Sequence, residues 1–382
     1  MHIFKILPAM SCALSLASCN GTSTELSPAV PSLGAVSTAS KLVCAPITLP
    51  VVHGVLGGPL DAPPAAWDWQ AGWQSCEVLF PSRLHGSTLY AVLFAPENID
   101  LAHDKLPVVV IAPGSIIGLQ SQYHWSAREL ASYGYIALTV DPQGVGNSEL
   151  AAYPQTADNY IDAVVSALDF IESPDNPLRE NADTAQMGAA GHSLSAYGLS
   201  WLQGEEPRLR ALVAWDYLAT TATGNNGDGD QIVGGEVPGL APLRPVQPRI
   251  PAMGQSNDSG EGGDAEAKKD AYTLWRDAGV ASMQISFLGK AHLDWSQGQV
   301  ASNDSASPKS QEMRLFQYYT RAWFDLWLKN DRSAIDRLTA TEVFELPLDA
   351  IYSQKFRSAL FLPTSGIDCP DITAGSCPAF QP

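Results

Sequence analysis

Met187-Gly188-Ala189-Ala190-Gly191-His192-Ser193-Leu194-Ser195-Ala196-Tyr197-Gly198 is the stretch on which the reading of the chain turns. It reads as a short buried strand, a tight turn at Ser193 and the start of a helix. A serine hydroxyl is a poor nucleophile unless a base takes its proton. A sharp strand-to-helix elbow also holds it clear of the sheet, and the residues two before and two after must then be small. Gly191 and Ser195 fill those positions. Small-x-Ser-x-small arises by chance about once in a chain of this size, so the flanking sequence has to decide whether the elbow is real.

Outward from the elbow, strands and helices alternate. Residues 88–96 read as a strand stopped by Pro96. Residues 106–112 are a continuous apolar, β-branched run, as expected of a strand buried on both faces of a parallel sheet. A helix over 124–133, a strand over 135–141 and a glycine-rich turn over 141–148 follow. Residues 156–172 carry Ile161, Val164, Val165, Leu168 and Ile171 at helical spacing. Beyond the elbow come a strand over 209–215, closed by Asp216, and an irregular segment over 218–247 rich in Gly, Asn, Asp and Pro. Then follow a strand over 250–255 and a helix over 264–279 with Ala267, Ala271, Leu274 and Trp275 on one face. A last strand over 282–287, a loop holding His292 and a long helix over 311–329 complete the series. This rhythm predicts an α/β fold with a mostly parallel central sheet, helices on both faces and an irregular insertion over the site.

The chain has 382 residues, 45% apolar and 16% charged, which is globular. A net charge of −18 argues against nucleic acid as a partner. Leu16-Ala17-Ser18-Cys19, at the end of a short apolar run, resembles the bacterial lipobox. That resemblance implies a signal peptide over 1–18, lipidation of Cys19 and a membrane attachment through the lipid alone. The absence of Asp after Cys19 implies the outer membrane. Residues 19–40 read as a flexible tether and 41–382 as a single domain, with a tail over 366–382. Cys44, Cys76, Cys369 and Cys377 remain after the leader, an even number that suits two disulfides in an oxidising compartment. Three pairings are possible. Cys44–Cys76 and Cys369–Cys377 are favoured because each closes a local loop. No cysteine spacing suits zinc. Asn225, Asn226, Asp228 and Asp230 crowd together without EF-hand spacing, so calcium there is left open. No metal or cofactor is expected.

Four stretches carry a family resemblance: Pro113-Gly114, the Asp141…Gly144-x-Gly146-x-Ser148 turn, the elbow, and Gly289…His292-Leu293-Asp294. From about residue 73 to 330 the chain resembles an α/β-hydrolase, closest to dienelactone-hydrolase-like, cutinase-like and platelet-activating-factor acetylhydrolase-like esterases. Gln143 stands where many members carry Arg, and Ser193 where dienelactone hydrolases often use Cys. The resemblance implies a serine hydrolase cleaving a small or polymeric carboxylic ester through an acyl-enzyme, with Ser193 as nucleophile and His292 as base. A serine peptidase on the same fold and a non-catalytic, lipid-anchored binding protein are the alternatives. Leu194 and Ser115 are the expected oxyanion donors. His124, Trp215 and Trp295 are candidates to line the pocket, and His192 is expected to pack beside the elbow or order a nearby loop. For the acid, Asp216 and Asp258 both end strands on the catalytic edge. Asp258 is chosen, because its Pro-led strand resembles the family's and because Asn257 and Ser259 offer hydrogen bonds to a buried carboxylate.

Overall fold

The computed structural model describes residues 42–48, 72–115, 118–150, 157–216, 218–220, 245–257, 265–296, 308–340, 342–343, 346–347, 358–372 and 377. The expected leader, lipidated Cys19, tether and most of the 218–247 segment lie outside these, as do Asp258 and the Asn225, Asn226, Asp228 and Asp230 cluster.

The run at 106–112 forms strand β3 (Leu106–Ala112), with Pro107 through Ala112 all buried. Val108 and Val110 enter one core cluster, and Val109 and Ile111 the other. A strand contributing to both faces requires cover on both. Five strands run parallel to it or to one another: β4 (Ile136–Val140), β5 (Ala182–His192), β6 (Leu209–Trp215), β7 (Ala252–Asn257) and β8 (Ser282–Phe287). Helices α2 (Ala157–Glu172), α3 (Leu194–Glu205) and α4 (Ala265–Asp277) feed one cluster. Helices α1 (His124–Ser132), α5 (Pro308–Leu328) and α6 (Ala334–Leu338) feed the other.

The sheet has ten strands in the order β1-β2-β4-β3-β5-β6-β7-β8-β11-β12, its outer strands being β1 (Trp73–Pro81), β2 (Thr88–Pro96), β11 (Ala359–Leu362) and β12 (Ile367–Cys369). These outer strands pair antiparallel. Two short strands, β9 (Glu342–Val343) and β10 (Leu346–Pro347), pair apart from it. The cysteine-bearing tail is therefore part of the sheet, which periodicity over three or four residues could not reveal. Strand β7 lies two residues later than its sequence pattern suggests, because Asn257 still pairs with Phe287.

Cys44 is bonded to Cys76 and Cys369 to Cys377, with Cα–Cα separations of 5.5 and 5.0 Å. The first closes a span of 32 residues and the second a span of 8. Chain-entropy arguments give about 3–4 kcal/mol for the larger loop and about 2–3 kcal/mol for the smaller. Cys44→Ser/Cys76→Ser should therefore lower the free energy of unfolding more than Cys369→Ser/Cys377→Ser in a urea titration. Equal losses would show that native contacts, not loop closure, set the difference.

Candidate active site

Strand β5 ends at His192 and helix α3 begins at Leu194, so the turn between them is the single residue Ser193. Its backbone sits at φ 53°, ψ −119°, a conformation costly for any residue but glycine. Two backbone bonds hold it there: Ser193 N–H donates to Trp215 O at 3.1 Å, and Tyr197 N–H to Ser193 O at 3.1 Å. A Cβ on Gly191 would lie 2.8 Å from Leu199 Cδ1 and 2.9 Å from Ser195 Cβ, so strand and helix leave room for glycine alone. Ser195 donates through Oγ to the carbonyl of Pro113 at 2.5 Å. Its hydroxyl ties the elbow helix to the turn after β3.

His292 opens a short 3-10 turn (His292–Trp295) beyond β8. Its Nε2 is 2.8 Å from Ser193 Oγ, and its Nδ1 bonds the Oδ2 of Asp216. Among the described residues the carboxylate against the imidazole is Asp216, at the end of β6. Asp258, the acid chosen from the sequence, lies outside them. Asp216 lies at φ 57°, which turns its side chain back beneath the imidazole. Asn257, expected from the sequence to serve Asp258, is bonded to Asp216. Its backbone N–H donates at 2.8 Å to Oδ1 of Asp216.

A second array braces the first. His192 is 1% exposed, and its Nε2–H donates to the backbone carbonyl of His292 at 2.8 Å. Nδ1 must then accept, and it does so from the Tyr123 hydroxyl at 2.7 Å, which itself accepts Gly114 N–H at 3.2 Å. The turn after β3, the elbow and the histidine loop are joined through one ring. Burial, reinforced by the nearby His292, pushes His192 down to about 3. The unfolded value is near 6.5, so the stability that comes with a neutral ring is present above that pH and is lost as pH falls toward about 3. In ring-nitrogen NMR, His192 should stay in the neutral Nε2–H form from pH 8 to pH 5. Tyr123→Phe removes the donor to Nδ1 and the acceptor for Gly114 N–H together. A loss of about 1–3 kcal/mol in stability should result, with a lower kcat if the loops then drift. A ring that titrates near pH 6.5 would refute this account of His192.

The expected oxyanion donors flank the nucleophile. Leu194 is the first residue of α3, where a backbone N–H has no acceptor within the helix. Ser115 follows Gly114, at which an added Cβ would stand 3.3 Å from Ser193 Cβ and 2.9 Å from His192 Nδ1. The turn therefore passes in contact with the nucleophile.

The pocket candidates fare differently. Trp215 and Trp295 are fully buried. Trp215 donates from Nε1 to Thr320 Oγ1 at 3.1 Å and lies parallel to Tyr123. Trp295 stacks on Phe316 at 4.6 Å and donates to Gln255 Oε1 at 3.1 Å. Both pack in the layer between the sheet and α5, where Phe316 and Thr320 meet them. His124 bonds Gln120 Oε1 through Nε2 at 2.7 Å and meets Phe94 edge-on. Burial pushes it down to about 3, with the Arg128 charge adding to the effect. Its partners are structural. Among the described residues no group of three or more His, Cys, Asp or Glu could hold a metal ion.

Sequence reasoning missed Lys268. Its ammonium donates to Asp216 Oδ1 at 2.8 Å and also bonds Asn257 Oδ1, with neither the lysine nor the aspartate side chain exposed. A signal was present: Lys268, Ala271 and Trp275 share one stripe of α4 at i, i+3 and i+7, and a lysine on an apolar stripe marks a buried charge. Tyr123 carried no such signal.

A parallel six-strand centre, helices on both faces and a nucleophile at the β5–α3 elbow settle the architecture. The fold is that of the α/β-hydrolases. Residues 90–240 match the family model described as "PETase: PET hydrolase-like". That span holds Ser115, Ser193, Leu194 and Asp216 and stops short of His292. The chain is also 28% identical over 160 residues to Dipeptidyl-peptidase 5 of Schizosaccharomyces pombe (strain 972 / ATCC 24843). The aligned part is 38% of this chain and 22% of that relative, so the chain spans under a quarter of the peptidase's length. The family model and the relative are both named for hydrolases.

Proposed function

We propose that this α/β-hydrolase is a serine esterase that cleaves carboxylic esters through an acyl-enzyme, with Ser193, His292 and Asp216 as its triad. The observation that carries the reading is the unbroken array from Ser193 Oγ through both nitrogens of His292 to Asp216. With Nδ1–H committed to the carboxylate, Nε2 presents its lone pair to the serine hydroxyl. It takes that proton as Oγ attacks the acyl carbon, then returns it to the leaving alcohol. Water repeats the sequence to release the acid. The N–H groups of Leu194 and Ser115 receive the oxyanion. Each such donor is worth roughly 3–4 kcal/mol of transition-state stabilisation.

An ester is favoured over a peptide because the family model that matches is PET hydrolase-like, and an aromatic polyester is included among the substrates. The peptidase similarity supports the second reading. A panel of nitrophenyl esters of rising acyl length, an aromatic polyester film and an aminoacyl anilide separates them. Ester turnover with an inert anilide supports the esterase, and the opposite pattern supports the peptidase. Export and lipid anchoring through Cys19 to the outer membrane belong to the same proposal. Two disulfides suit an oxidising compartment. Cys19→Ala should move the protein from the membrane to the soluble fraction.

A further inference from the structure

The carboxylate of Asp216 has no exposure, and a buried charge persists only with a partner. Three groups supply it. His292 Nδ1 takes Oδ2, while Asn257 N–H and Lys268 Nζ share Oδ1, each at 2.8 Å. Lys268 reaches this point from α4, an element that lies between β7 and β8 in the chain and carries none of the triad. Its ammonium is held a second time by the side-chain oxygen of Asn257, the residue that ends β7. A neutral donor could orient the carboxylate equally well. Only a cation also offsets its charge where water is absent.

We propose that Lys268 is a positioning residue of the triad: its ammonium pins Oδ1 of Asp216, leaves Oδ2 to the imidazole of His292, and offsets the charge of the buried carboxylate. This rests on the serine-hydrolase reading above. Among the described residues, the charged or titratable groups around Asp216 are Lys268 from α4, His292 from the loop after β8 and His192 from the elbow. Lys268 brings to the carboxylate the opposite charge. Without the ammonium, the imidazole–carboxylate pair carries a net negative charge and holds a proton more tightly. The base is then lost at a higher pH.

Lys268→Met removes charge and donor together, and Lys268→Gln keeps a donor without the charge. In the proposal, Lys268→Met lowers kcat on a nitrophenyl ester at least tenfold, with KM within about twofold, because Lys268 acts through Asp216. Lys268→Gln retains more of kcat. In both, the acidic limb of kcat/KM moves up by about one pH unit or more. A folded variant with kcat within twofold and an unmoved limb overturns the proposal. If the unmodified protein turns over no ester, the function reading fails but this one stays testable. The downfield Nδ1–H proton of His292, followed by NMR, should then persist to higher pH in Lys268→Met, and an unchanged titration overturns it. If neither single variant folds, the double variant Asp216→Asn/Lys268→Met decides the matter. Removing both charges should recover the fold, and a further loss added to that of Asp216→Asn would show that the two side chains act separately.

Discussion

Asp216→Asn should lower kcat by about four orders of magnitude while leaving the circular dichroism of the folded protein unchanged. Asparagine can keep an oxygen for Asn257 N–H and Lys268, but its amide NH2 then faces His292 Nδ1. A donor there drives the imidazole into the tautomer whose Nε2 carries a proton, and such a ring cannot accept one from Ser193. KM should change little. The same substitution leaves Lys268 buried beside a neutral partner, so the unfolding midpoint should fall too, and rates belong well below it. Asp258→Asn should stay within a few-fold of the unmodified protein, because the imidazole already has its carboxylate. Steady-state rates on one nitrophenyl ester compare the two. A crippled Asp258→Asn beside a near-normal Asp216→Asn would return the acid to Asp258.

Ser193→Ala should lower kcat further, by about five to six orders of magnitude, because no acyl-enzyme can form. Residual turnover would come from water in a site that still binds the ester and its oxyanion. The residue keeps its left-handed φ of 53° whichever side chain it bears, so stability should shift by no more than about 1 kcal/mol. His292→Ala should fall to a similar level, and Ser193→Ala/His292→Ala no lower, since nucleophile and base act as one unit. Losses that multiply across the double variant would mean that the two residues serve separate steps.

How far the sequence reached can be traced residue by residue. The run at 106–112 and the small residues about Ser193 gave the sheet and its elbow, because strand burial on both faces and close strand–helix passage each leave a compositional mark. His292 was placed by its position beyond the last parallel strand. The acid was harder. Asp216 and Asp258 follow neighbouring strands, and the choice between them depends on a positive φ at a non-glycine residue, which composition does not record. Asn257 was expected to serve Asp258, next to it in the chain, whereas its backbone N–H reaches the residue after β6, a contact set by strand pairing and not by sequence proximity. Trp215 and Trp295 stood at strand ends on the catalytic edge, yet α5 supplies Phe316 and Thr320, and these draw both indoles into the core. The strands of the tail were too short for any period to show.

Tyr123 and Lys268 illustrate two kinds of omission. Nothing around Tyr123 marks a tyrosine whose hydroxyl binds the elbow histidine, since the contact joins residues 69 positions apart. Lys268 could have been found, as a cation on the apolar stripe of α4.

Labelling with a fluorophosphonate probe, followed by peptide mapping of the adduct, tests the central claim most directly. The account predicts one modified residue, Ser193, labelled in the unmodified protein and in Asp258→Asn. It predicts labelling slowed by orders of magnitude in His292→Ala and Asp216→Asn, and none in Ser193→Ala. A folded protein that takes up no label at Ser193, or takes it at another serine, would contradict it.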